Sequence, residues 1–247
     1  MTFSWVMDLI TIYILAILFI ATLVRSTFGF GESLIAVPLL VFFIPIEEAV
    51  PLSVLVSIVI AAIVVVQDHQ KIHFSSAKWL IIFAAVGIPL GLVLLTYGNE
   101  NLTKSILGIL IILYSIYSLV SKNSLKLASD NKLWLFICGF LSGVFGGAYG
   151  LNGPPLVIYG NMRNWTAKHF RATLQAYFLP ASIIGMIGYW YKDLWTATVT
   201  HYFLISLPVV IPAIFLGRYL NHRIKDGAFL KYIYIALIGA GALLLVQ

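Results

Sequence analysis

The sequence predicts an all-α polytopic membrane protein, an inverted repeat of two five-segment halves, each with a broken or short helical hairpin. Three observations carry this reading. The 247 residues are 61% hydrophobic and 10% charged, with a mean hydropathy of +1.01, whereas a soluble domain carries about 25% charged residues. Apolar stretches near the ~20 residues of a membrane-crossing helix recur along the whole chain, and none alternates with the two-residue period of a barrel strand. Two glycine-rich turns, in FGFGESLIAVPLL from Phe28 and FGGAYGLNGPPLV from Phe145, interrupt the apolar pattern at corresponding places.

The first apolar stretch has no basic leader and no small-residue cleavage site, so it reads as a retained helix, not a signal peptide. Hydropathy places segments near 5–24, 33–44, 48–67, 77–97, 102–120, 132–148, 153–162, 169–190, 195–217 and 228–246. Segments 33–44 and 153–162 would reach only about 15 to 18 Å as helix, short of a ~30 Å hydrocarbon core. Each therefore pairs with its predecessor as a hairpin that returns the chain to the face it left. With that rule, one face collects thirteen of the fifteen basic residues, and the other only Lys104 and Lys192. Without it the division is nine against six. The basic face is expected to be cytoplasmic and both termini outside, which explains the net charge of +6 without a nucleic-acid partner.

A shift of 117 positions lays Phe28, Gly29, Pro38 and Leu39 over Phe145, Gly146, Pro155 and Leu156. A second block lays Gly91–Leu113 over Gly217–Ala240 with small gaps, placing Lys104 on Lys231. The expected division is a first repeat at 1–121, a cytoplasmic linker at 122–131 and a second repeat at 132–247. Five segments per half make the second half enter the bilayer from the opposite face, the layout of many secondary transporters, whose sites lie near the midplane where interrupted segments meet.

Backbone released from helix inside a bilayer needs protein or water partners. The turns also carry polar groups that close helix packing does not require. Asn152 is expected to cap the second short helix, with proline in its first turn, and Glu32 or Ser33 to cap the first. Two helix N-termini converging near the midplane would favour a small anion. Arg25 offers a planar donor fork for sulfonate, sulfite, phosphate or carboxylate; its alternative role is snorkelling to the cytoplasmic interface. Glu32 can pair with Arg25, cap the helix or carry a coupling proton. The expected substrate-binding residues are Arg25, Ser26, Thr27, Gly29, Gly31, Ser33, Gly146, Gly147, Tyr149, Asn152, Gly153, Tyr159, Arg171 and Gln175, with Glu32 as the proton-coupling group. Asn161 could line the path, and Arg163 and Lys168 suit a solvated cytoplasmic cap. Trp5, Trp79, Trp134, Trp190 and Trp195 read as interface anchors.

Other chemistries find little support. His69 and His73 beside Asp68 are a weak zinc pattern, and no metal or cofactor is expected. Cys138, the one cysteine, reads as a buried structural thiol. An enzyme would need a nucleophile and base, or a metal cluster, inside or beside a span. The expected partners are a small anionic substrate and the lipid bilayer; a homo-oligomer is compatible with the sequence.

The segments GFGESLIAVPLL, GGAYGLNGPPLVIYG, KHFRAT (168–173) and GRYLNHRI (217–224) resemble the TauE/SafE family of sulfite and sulfonate exporters over essentially the whole chain. The resemblance implies an inner-membrane permease for sulfur-containing anions such as sulfite, sulfoacetate or related organosulfonates. It places the substrate region at the turns Gly29–Pro38 and Gly146–Pro155. Arg25 and Glu32 lie outside the general family pattern.

Overall fold

The computed structural model describes residues 9–120, 126–223 and 228–246. Among them the helices are α1 (Leu9–Phe28), α2 (Glu32–Leu40), α3 (Ile46–Asp68), α4 (Phe74–Tyr97), α5 (Glu100–Val120), α6 (Lys132–Tyr149), α7 (Gly153–Met162), α8 (Ala167–Tyr191), α9 (Ala197–Arg223) and α10 (Ala228–Val246), with a 3-10 turn at His69–Lys71. Among the described residues six helices, α1, α3, α4, α5, α6 and α9, are long and apolar enough to cross a membrane. The chain is thus an all-α polytopic membrane protein. At nine and ten residues, α2 and α7 reach only about 14 Å and cross nothing alone.

Two boundaries differ from the expected ones for physical reasons. α1 runs four residues beyond Val24, so Arg25, Ser26 and Thr27 are buried in its last turn. Its end is set by Gly29, whose φ of +90° is the left-handed conformation that stops a helix, its N–H bonding to the Arg25 carbonyl at 2.6 Å. α2 ends at Leu40 and passes into a turn in which the Phe43 and Ile44 N–H groups both reach the Leu40 carbonyl; Pro45, with φ −54° and no N–H, keeps that turn from continuing as helix into α3.

Packing partners recur with an offset of five elements. α4 lies on α6 as α9 lies on α1; α3 lies on α9 as α8 lies on α4; α1, α2 and α3 contact one another as α6, α7 and α8 do; α5 meets α10 and α3 meets α8. The turns superpose by position as well, Gly29 with Gly150 and Glu32 with Gly153, a difference of 121 in both cases. The 117-position register is therefore one helical turn out. Glycines spaced near one turn at the end of α6 create that false match. One pair of the second block occupies corresponding places: Gly91, six residues before the end of α4, meets the Val144 carbonyl, and Gly217, six before the end of α9, meets the Leu23 carbonyl.

Close backbone approach fastens the α4–α6 pair. Gly139, Gly143 and Gly147, four apart on α6, face the backbones of Leu80, Ala84 and Ile88, and Gly87 faces that of Phe140. This small-residue seam lets dispersion forces act where lipid removes the hydrophobic drive. The connections sort into two faces. Lys192 Nζ reaches Tyr97 Oη at 3.0 Å, joining the α8–α9 and α4–α5 connections. At the other end Asp130 receives Ser76, Tyr159 and Arg163, while the His73 N–H donates to Thr173. Trp79, Trp190 and Trp195 are exposed, and Trp5 lies outside the described residues.

Gly143→Val forces a side chain into the Ala84 backbone and is expected to cost about 1–3 kcal/mol, as overpacking typically does. Gly239→Ala, with nothing within 4 Å of its new β-carbon, is expected to stay within about 0.5 kcal/mol of the parent. Unfolding in mixed micelles measures both.

Candidate functional site

Both turns line one small cavity. Gly31, Glu32, Ser33 and Leu34 come from the start of α2, and Gly150, Leu151, Asn152, Gly153 and Pro154 from the start of α7. Arg25, Phe30, Ser57 and Phe178 complete it. The N-termini of the two short helices thus meet at one point, and left-handed glycines make the corner, Gly31 at φ +100° and Gly150 at +67°. A side chain at either position would strain the backbone.

A buried ion pair forms the polar wall. Arg25 Nη1 lies 3.3 Å from Glu32 Oε2, with both side chains almost completely enclosed. Nη1 also donates to Ser57 Oγ at 2.6 Å, Nη2 donates to Gln175 Oε1 at 2.9 Å, and the guanidinium carbon sits 4.6 Å from the centre of the Phe178 ring. Glu32 receives Ser33 Oγ at 2.9 Å on Oε2 and Ser53 Oγ at 2.8 Å on Oε1. Gln175 Nε2 donates to the Gly29 carbonyl at 2.8 Å, which fixes the amide so that its oxygen faces Arg25. Four helices therefore converge on one carboxylate and one guanidinium. The carboxylate has the shape and charge of a bound oxyanion and already uses the donors such a ligand would need.

The cavity left beside this pair is about 20 Å³, roughly the space of one water molecule. A sulfite-sized group enters only if Glu32 or the flanking turns move. Asn152 Oδ1 and Arg25 Nε are buried without a hydrogen-bond partner among the described residues, so both sides of the cavity hold unused polar capacity.

The capping expectations are corrected. Asn152 makes no cap hydrogen bond; its φ −69° and ψ −23° are helical, whereas a capping residue needs extended backbone. Pro154 and Pro155 also remove amides that a cap would satisfy. α2 is preceded by left-handed Gly31, and Glu32 turns to Arg25 and the serines instead of its own helix end. Snorkelling of Arg25 is likewise excluded, since the residue is only 3% exposed.

The remaining expected residues divide by place. Gly29 and Gln175 support the pair from behind the cavity. Ser26 packs against Gly217, and Thr27 Oγ1 returns to the Leu23 carbonyl. Gly146 abuts the Asn152 side chain, while Gly147 belongs to the α4 seam. Tyr149 is fully buried with its hydroxyl unpartnered among the described residues. Tyr159 bonds Asp130 at 2.8 Å on the loop-rich face. Arg171 is buried one turn from Gln175, near Asp68 at 4.0 Å and Asn221 at 3.5 Å, and does not line the cavity. Arg163 pairs with Asp130 at 3.0 Å, and Asn161 has bonding partners of its own. The side chain of Lys168 lies outside the described residues.

The two histidines of the pair have different neighbours. His69 Nδ1 meets the Val66 carbonyl at 3.2 Å, whereas His73 stacks on Trp165 and lies 4.8 Å from the His169 ring. Partial burial, then the neighbouring His169 and Arg163, hold the His73 imidazole below its ordinary range, against the opposing pull of Asp130. Ser53, Ser57 and Phe178 were not anticipated. Ser53 and Ser57, one turn apart on the same face of an apolar helix, are the signal that was available.

A broken-helix bundle with a buried charge pair at its centre is the architecture of a polytopic membrane transporter. Residues 14–245 match the family described as Sulfite exporter TauE/SafE; the chain belongs to that family, and it is a transporter, not an enzyme. It is 23% identical over 221 residues to the "Probable sulfite/organosulfonate exporter TauE" of Cupriavidus necator, covering 88% of this chain and 86% of that protein. It is 26% identical over 231 residues to a "Probable membrane transporter protein" of Methanocaldococcus jannaschii, covering 84% and 85%. No solved structure matches.

Glu32→Leu leaves Arg25 charged and buried without its carboxylate and is expected to cost about 3–5 kcal/mol. The double change Arg25→Met with Glu32→Leu removes both charges and is expected to be less destabilising than either single change. Thermal unfolding in detergent, run as a double-mutant cycle, measures the coupling.

Proposed function

We propose that the protein is a secondary transporter that moves a small sulfur-containing anion, such as sulfite, sulfoacetate or a related organosulfonate, across the cytoplasmic membrane by alternating access. The substrate's oxyanion takes the place of the Glu32 carboxylate at Arg25. The observation that carries this reading is that Glu32, paired with Arg25, occupies the donor set an oxyanion would use at the meeting of the two short helices. Ser33, Ser53, Gly31 and the start of α2 contribute the remaining donors; Asn152 and Gly153 close the site from α7.

Charge balance gives the coupling. A buried arginine cannot hold both Glu32 and a substrate anion at full charge without leaving a second buried negative charge uncompensated, which costs several kcal/mol. Substrate binding therefore favours protonated Glu32, and one proton travels with the anion. The recurrence of packing partners at an offset of five elements supports two repeats, 1–121 and 132–247, joined by the 122–131 linker and inverted across the membrane. In that arrangement the basic face is cytoplasmic and both termini lie outside. The small volume of the cavity, about 20 Å³, supports a carrier over a continuously open pore.

Counterflow of radiolabelled sulfite and sulfoacetate into proteoliposomes tests the proposal. Arg25→Ala is expected to lower anion affinity by about 30-fold or more, the loss of 2–5 kcal/mol typical of a buried charged contact. Glu32→Gln is expected to keep anion exchange and abolish uptake driven by a proton gradient. No flux across a panel of small sulfur oxyanions and carboxylates would refute the transport reading; gradient-driven flux unaltered in Glu32→Gln would refute the coupling.

A further inference from the structure

The recurring packing pattern is broken at the two short helices. Among the described residues α2 lies against both α5 and α10, whereas its counterpart α7 packs chiefly on α6 and α8. The space beside α7 is a crevice of about 350 Å³ between α5, α6 and α7, walled almost wholly by apolar side chains, among them Leu113, Tyr117, Trp134, Ile137, Leu141 and Ile158. Leu113 is 60% exposed and Leu141 38%, so the crevice opens sideways, toward the medium that surrounds a membrane-spanning bundle. An apolar space of this kind does not hold ordered water.

One end of the crevice carries the features that receive a lipid headgroup. Trp134 lies in the first turn of α6 and Tyr117 in the last turn of α5, and amphipathic rings at helix ends mark the headgroup level. Exposed Lys132 shares the first turn of α6, and exposed Lys126 lies in the connection before it. The acid of this connection, Asp130, is engaged by Arg163, Ser76 and Tyr159, so it does not offset the two lysines. Charge and surface together select an anionic amphiphile.

We propose that the crevice between α5, α6 and α7 binds one acyl chain of an anionic phospholipid, with its phosphate at Lys126 and Lys132. The chain supplies α7 with the apolar cover that α2 receives from protein. Leu34, Leu151 and Pro154 line both the crevice and the polar cavity, so the lipid lies one layer of side chains from the ion pair and props α7 in the position seen here.

The test uses the full chain in vesicles. Two single-tryptophan variants, one keeping Trp134 and one keeping exposed Trp190, have the other five replaced by Phe and are titrated with brominated phosphatidylglycerol or brominated phosphatidylcholine. Quenching of Trp134 is expected to favour phosphatidylglycerol, by about fivefold for each lysine since each contributes ~1 kcal/mol near an anionic surface, and Trp190 to show no preference. Lys126→Ala with Lys132→Ala is expected to abolish the preference. Equal quenching of Trp134 by both lipids would overturn the proposal. Native mass spectrometry of the unaltered protein gives an independent reading: one retained phosphatidylglycerol supports the site, and no retained lipid, or a zwitterionic one retained equally well, overturns it.

Discussion

The centre of this protein depends on one electrostatic constraint: a guanidinium and a carboxylate must neutralise each other in a region where water cannot. Each ion alone would cost several kcal/mol to bury. Arg25 and Glu32 meet at 3.3 Å, and Ser33, Ser53, Ser57, Gln175 and the ring of Phe178 engage most of their remaining bonding capacity, leaving Arg25 Nε toward the cavity side without a partner among the described residues. These groups come from α1, α2, α3 and α8. The pair thereby fixes the relative positions of helices distant in sequence, while the glycine seam between α4 and α6 holds the frame around it.

The two short helices follow from the same constraint. A helix crossing the whole bilayer would carry its polar ends to the interfaces and leave no free amides inside the bundle to meet a charge. Breaking the chain at Gly29 to Gly31 and again at Gly150 brings helix beginnings, with their free amides, to the centre. The left-handed glycines permit the sharp reversal, and the apolar bodies of α2 and α7 satisfy the surroundings. The prolines of α7 weaken its donor set relative to that of α2, so the polar work falls mainly on the first half.

Much of the fold was legible in the sequence because a bilayer demands long apolar helices and punishes anything else. All ten segments were recognisable, including the two too short to cross. What hydropathy does not mark is where α1 ends, since an apolar run says nothing about polar residues enclosed by later helices; a span ending near residue 24 leaves Arg25 just beyond it, whereas the helix continues to Phe28 and encloses Arg25 in its last turn. The repeat register slipped by one turn because glycines at near-helical spacing look alike in sequence. Of the candidate site, Arg25, Glu32, Gln175 and the two turns were visible as polar or flexible residues in apolar surroundings. Ser53 and Ser57 carry a weaker signal, their one-turn spacing on an apolar helix, because serine in a membrane helix usually bonds its own backbone and its partner becomes evident only from the neighbours folding supplies. Arg171 and Tyr159 looked equivalent to Gln175 by type, but one helical turn, or the far end of α7, sets them apart in space.

The most direct measurement of the central claim is the number of protons exchanged when an anion binds. A sulfonate that stays fully ionised near neutral pH is titrated into the purified protein by calorimetry, in buffers of different ionisation enthalpy. The exchange of one buried negative charge for another predicts uptake of about one proton per anion bound, as linkage requires when a carboxylate must neutralise, and none in Glu32→Gln. Binding with no proton uptake in the unaltered protein would contradict the account.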